Sequence, residues 1–71
     1  MGWINVNERL PEITSLWEEF IVCTHNKWVT ALYYHRDSKK WFDIDYYSGD
    51  IITHSDTNPV EYWQPLPIPK N

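Results

Sequence analysis

The sequence predicts a mainly β fold: a small twisted antiparallel sheet or half-open barrel, a meander of about four or five short strands. Three observations carry that reading. Short runs rich in β-branched and aromatic residues recur along the chain, as in Phe20-Ile21-Val22-Cys23-Thr24 and Trp28-Val29-Thr30-Ala31-Leu32-Tyr33-Tyr34. Polar turn residues punctuate them at close intervals, among them His25-Asn26-Lys27, Arg36 to Lys40 and Ser48-Gly49-Asp50. The apolar pattern leaves room for one helical turn near 15–19 and no longer helix.

Trp3-Ile4-Asn5-Val6 mixes apolar and polar residues over a short span and reads as a first strand. Arg9-Leu10-Pro11 ends it, because proline donates no hydrogen bond and holds its predecessor extended. Ser15-Leu16-Trp17-Glu18 has the Ser-x-x-Glu spacing of a capping box, which predicts a helical turn starting at Ser15. The continuous apolar run from Phe20 to Thr24 has the look of a strand covered on both faces. His25-Asn26-Lys27 then connects it to a partner over Trp28–Tyr34.

After the polar turn at Arg36–Lys40, Trp41 to Tyr47 forms a further strand. Its Phe42, Ile44 and Tyr46 make the expected core face, since Asp43 and Asp45 lie on the other. Gly49 suits a turn because it reaches positive φ cheaply. Ile51–His54 returns as a strand, Ser55–Pro59 is a loop, and Val60–Trp63 is the last strand. Pro65 and Pro67 end it. No Pro-x-x-Pro spacing occurs in Pro65-Leu66-Pro67-Ile68-Pro69, so the end of the sequence reads as an extended strap rather than a docking peptide. Leu66 or Ile68 is expected to pack across the Trp3 end of the sheet.

The 71 residues make one domain, 1–71. A chain of that size buries only about 60% of the surface its unfolded form exposes, so its core needs help. Cys23 is the single cysteine, which excludes an internal disulfide and a four-cysteine zinc site. Five Trp, five Tyr and two Phe supply the compensation, with self-association into a homo-oligomer as the natural supplement. The first residues lack the basic and long apolar stretches of a secretory leader, and no apolar run is long enough to span a bilayer. With its lone thiol, the chain is expected in a reducing cytoplasm and off the membrane. The net charge of −4 disfavours direct nucleic-acid binding, which leans on clustered cations.

Two stretches carry a resemblance. Trp3-Ile4-x-Val6-x-x-Arg9-Leu10-Pro11 and Tyr62-Trp63-Gln64-Pro65-Leu66-Pro67 resemble the family known as Domain of Unknown Function 551, short proteins common in phages and prophages of bacteria. Phe20–Cys23, Val29–Tyr34 and Trp41-Phe42 fit it too, so the likeness spans nearly the whole chain. Members often have a histidine just before the Trp-x-Pro-Leu-Pro; here Tyr62 stands there, and a role for that histidine would not carry over. The resemblance implies a small globular unit of phage-related origin in a bacterial host cell. It implies no activity.

Asp43, Asp45, Asp50, His54 and Asp56 form the richest polar cluster, but their spacing matches no calcium loop, and turn aspartates are ordinarily solvated. His25, His35 and His54 have no zinc-ligand spacing. Cys23 sits in an apolar strand, where a buried, inert thiol is expected. No phosphate loop, serine elbow or carboxylate pair occurs, so no catalytic residue, metal or cofactor is assigned. Arg9 between apolar positions has the weak look of an anion site, set against a guanidinium held by a neighbouring carboxylate or carbonyl. Each Tyr-Tyr pair sends one ring to either sheet face, which marks Trp28, Tyr34, Trp41 and Tyr47 as partner-binding candidates.

These observations lead to a non-enzymatic accessory protein that binds a host or phage protein, with inhibition of a host defence or nucleic-acid-processing complex as its use. The alternatives are a nucleotide-like ligand held at an oligomer interface, with Arg9, Arg36 and Lys39 as its cations, and a structural homo-oligomer.

Overall fold

The computed structural model describes residues 2–66. Six strands follow one another: β1 (Ile4–Asn5), β2 (Trp17–Thr24), β3 (Val29–His35), β4 (Lys40–Ile44), β5 (Ile51–Thr53) and β6 (Val60–Pro65). They form one antiparallel sheet in the order β1-β6-β2-β3-β4-β5. The sheet stays open, with β1 and β5 as its edges, so of the two forms expected it is the twisted sheet and not the barrel. The chain runs β2 to β5 as a meander, then crosses back to insert β6 between β1 and β2.

Local chemistry sets the turns. In the β2–β3 hairpin, Thr24 N–H donates to Trp28 O (2.9 Å) and Lys27 sits at φ 71°. Asn26 Oδ1 organises this turn, accepting from the Thr24 hydroxyl (2.8 Å) and from Trp28 N–H (3.0 Å). Thr24 is fully buried, so its hydroxyl needs those partners. In the β4–β5 turn, Gly49 takes φ 78°, a conformation glycine adopts without steric penalty.

Register decides which side chains share a face. Phe20 lies opposite Leu32, Tyr34 opposite Trp41, and Val22 opposite Trp63. Side chains alternate along a strand, so these six rings and branches stand on one side of the sheet. Phe20, Val22, Leu32, Tyr34, Val60 and Trp63 are the buried core, with Trp41 packed against it. The rings meet edge to face, Phe20 to Trp63 at 5.2 Å and Phe20 to Trp41 at 6.1 Å, an arrangement that aromatic quadrupoles favour.

Among the described residues, no second sheet covers this core. The segment 6–16 does, laid across the face as a strap whose Val6, Leu10 and Ile13 pack on the core and whose Pro11 is buried. Trp63 Nε1–H donates to Arg9 O (2.9 Å), tying the strap to the interior strand β6 and satisfying the indole.

Several expectations change here. The helical turn over 15–19 does not form, because residues 14–16 bend and β2 already begins at Trp17. Arg36 explains why: its N–H donates to Leu16 O (2.9 Å), extending the β2–β3 ladder, and its guanidinium takes Thr14 O (2.7 Å). The strand expected over 41–47 stops at Ile44, and Tyr46 is exposed in the turn. Its inward residue is Trp41, drawn under the strap by its pairing with Tyr34, while Phe42 and Ile44 point the other way. Among the described residues, β2 is covered on one face only. β6 ends at Pro65, and Leu66 is half-buried; the proposed strap residues Pro67 to Asn71 lie outside the described residues.

Candidate functional site

The face opposite the core carries Trp17, Glu19, Ile21 and Cys23 from β2. It adds Tyr33 and His35 from β3, Phe42 and Ile44 from β4, and Ile51 from β5. Among the described residues no element lies over it. The packed strap is on the other side, so apolar residues here are left half-buried by their neighbours within the sheet or exposed outright.

Trp17 centres this face. Its ring lies 4.4 Å from His35 and meets Phe42 edge-on at 5.1 Å. His35 is fixed in turn through Nδ1, which accepts from the Ser38 hydroxyl (2.8 Å) and from Ser38 N–H (3.2 Å). Beside Trp17 opens a cavity of about 170 Å³ lined by Trp17, Tyr33, Ile44 and Ile51. It arises where β3 and β4 part. Their pairing stops at Tyr33 and Phe42, and Ile44 N–H turns onto Asp43 Oδ1 (2.7 Å) instead of onto β3. An apolar hole of roughly 150 Å³ accommodates a benzene ring, so this one has room for a group of about that size. None of its four lining residues is a cation, so a nucleotide's phosphates would find no partner in it. Glu19, paired across the strands with Tyr33, pushes the Tyr33 phenol above its usual 10.0 by the carboxylate's charge, with burial adding to it.

The residues singled out in the sequence fall in different places. Tyr34 is 1% exposed and Trp41 packs on the same core, so neither is presented to a partner. Alternation applies to the first pair, where Tyr33 and not Tyr34 leaves the core, but not to the second, since Tyr46 and Tyr47 both lie exposed beyond the end of β4. Trp28 is half-exposed at the β2–β3 hairpin and Tyr47 is fully exposed in the β4–β5 turn, on separate loops. Arg9 lies in a shallow cleft with Trp3, Ile4 and Glu8, where the Glu8 carboxylate works against an anion. Cys23 is half-buried rather than enclosed, on the open face.

Among the described residues, no group of three or more His, Cys, Asp or Glu side chains is placed to hold a metal ion. The histidines are engaged separately: His25 Nδ1 with Glu61 (2.7 Å), His35 with Ser38, and His54 Nε2 with Asn58 O (2.7 Å). Asp43 and Asp45 accept backbone N–H groups of Ile44 and Tyr47. What sequence reasoning missed is the stripe Trp17-x-Glu19-x-Ile21-x-Cys23. The signal was there as a period of two, but beginning the strand at Phe20 hid Trp17 from it.

A family model described as "Protein of unknown function (DUF551)" matches residues 2–71. No curated protein and no solved structure matches the chain.

Proposed function

We propose, for a chain that belongs to the DUF551 family of proteins of unknown function, a non-enzymatic role: a phage- or prophage-type accessory protein that binds another protein through its uncovered sheet face. The observation that carries this reading is the apolar face itself, with Trp17, Ile21, Tyr33, Phe42 and Ile44 on one side of the sheet and no covering layer among the described residues. Aromatic residues framing a small apolar hole are the makings of a binding hot spot, because one partner side chain can be fully desolvated there. The partner offers an aromatic or aliphatic anchor for the cavity and a surface with basic residues around it. The net charge of −4 favours such a partner and speeds encounter with it. Basic surfaces of that kind occur on nucleic-acid-processing proteins, which suits an inhibitor that occludes one in the host cytoplasm.

The test is site-specific photocrosslinking in bacterial cells, with a photoreactive phenylalanine at position 21 of the open face or position 12 of the strap side. Support is a protein crosslinked from position 21 and not from 12 that, once purified, binds the wild-type chain and binds Ile21→Lys at least about tenfold more weakly. Equal crosslinking from both positions, or unchanged affinity of Ile21→Lys, would sink the reading.

A further inference from the structure

We infer that the free edge of β5 is a self-pairing edge: two copies join β5 to β5 antiparallel about Ile52, making one continuous sheet across a two-fold axis. This goes beyond the partner-binding face and does not depend on it.

The hydrogen-bond pattern fixes the register. Asp45 N–H donates to Asp50 O (2.8 Å), and His54 N–H donates to Trp41 O (3.0 Å). In an antiparallel ladder, alternate residues turn both backbone groups to the same neighbour. Residues 50, 52 and 54 therefore face β4, and Ile51 and Thr53 turn their N–H and C=O groups to the open edge. A two-fold axis at Ile52 places Ile51 of one copy opposite Thr53 of the other. That is the pairing in which opposed residues exchange both hydrogen bonds, and the symmetry repeats it. The two Ile52 side chains then meet as the closely spaced, non-hydrogen-bonded pair at the axis.

The side chains agree with that register. Ile51 and Ile52 are 53% and 49% exposed; in the pair Ile52 meets the other copy's Ile52, and Ile51 meets the β-branched Thr53. In the same register Asp50 of each copy lies opposite His54 of the other, on one side of the sheet. Because His54 Nε2–H donates to Asn58 O, its Nδ1 is the nitrogen left for that carboxylate, which it bonds only in the imidazolium form. Opposite charges across strands stabilise a pair, where a shifted register would set Asp50 against itself or an isoleucine. Apart from its three-residue length the edge lacks protection: Ile51-Ile52-Thr53 has no proline, lysine or bulge to keep it from pairing. β1, the other edge, is two residues long and is followed at once by a turn.

Sedimentation velocity of the full chain, from micromolar to sub-millimolar, reads the association directly. The expected species is a dimer of twice 8.6 kDa. Ile52→Lys puts like charges at the axis, and Thr53→Pro removes an edge N–H that makes no bond to β4. Both are expected to weaken the dimer by roughly tenfold or more while circular dichroism stays native. Asp50→Arg should weaken it as well, and Asp50→Arg combined with His54→Glu should restore it. Ile21→Lys on the open face should leave it intact. A strict monomer throughout, a dimer indifferent to both edge variants, or one abolished by Ile21→Lys instead would overturn the inference.

Discussion

The two faces of this sheet are built from the same strands and nearly the same residue types, yet only one is a core. Val22 and Ile21 are neighbours in β2; Val22 is wholly buried and Ile21 is half-buried. Tyr34 and Tyr33 are neighbours in β3; Tyr34 is enclosed and Tyr33 lines an open cavity. What separates them is a single irregular segment, residues 6–16, laid over one side. The difference teaches that in so small a protein a strap does the work of a second layer. Among the described residues, the face without a strap stays uncovered.

The sharpest way to break that asymmetry is at the strap's anchor. Trp63 packs on Phe20 in the middle of the covered face and holds Arg9 O through its indole N–H. Trp63→Ala removes both and should cost about 3–5 kcal/mol. A domain of 71 residues has roughly 4–10 kcal/mol in total. Urea titration should show from about a third of that stability to all of it gone. A loss under about 1 kcal/mol would mean that the strap does not secure the core.

A matched pair in β2 sharpens the comparison. Val22→Ala deletes methyl groups from a closed site and should destabilise by about 2 kcal/mol, transfer and cavity terms together. Ile21→Ala removes more carbon from the open face and should still cost less than about 1 kcal/mol, since water already reaches that site. Equal losses would show that the second face is covered in solution, by a partner copy or by the chain itself.

Much of this architecture was legible in the sequence. The meander, the β2–β3 hairpin with its Asn26, and Gly49 at its turn all follow from residue-level rules, because each depends on local backbone chemistry. Assigning the faces did not. Phe42 and Ile44 alternate with aspartates and so read as inward, but Tyr34 pulls Trp41 beneath the strap and reverses the parity of β4. That reversal is a cross-strand effect between residues seven apart, invisible to a pattern read along one strand. The capping box at Ser15 failed for a related reason. Its carbonyl neighbours at Thr14 and Leu16 are taken by Arg36 from another element. The open face went unread because Trp17 seemed to belong to a turn.

The smallest expected effect separates the faces by cause rather than by size. Both Tyr33 and Tyr34 have phenols raised above the usual 10.0. For Tyr33 the first cause is the negative charge of Glu19 across the strand pair; for Tyr34 it is burial. A phenol raised by folding contributes stability that is present below its unfolded value and is lost as pH rises through the folded one. Alkaline pH should therefore destabilise the sheet through both rings, starting near 10. Glu19→Gln should bring Tyr33 back towards its ordinary value and leave Tyr34 where it is, followed by ring-carbon chemical shifts through the alkaline titration. If Tyr33 stays as far raised without the carboxylate, burial and not Glu19 is the first cause, and the second face is less open than its geometry indicates. If Tyr34 moves together with Tyr33, the two faces are electrostatically coupled through the sheet, and the contrast between them is one of packing alone.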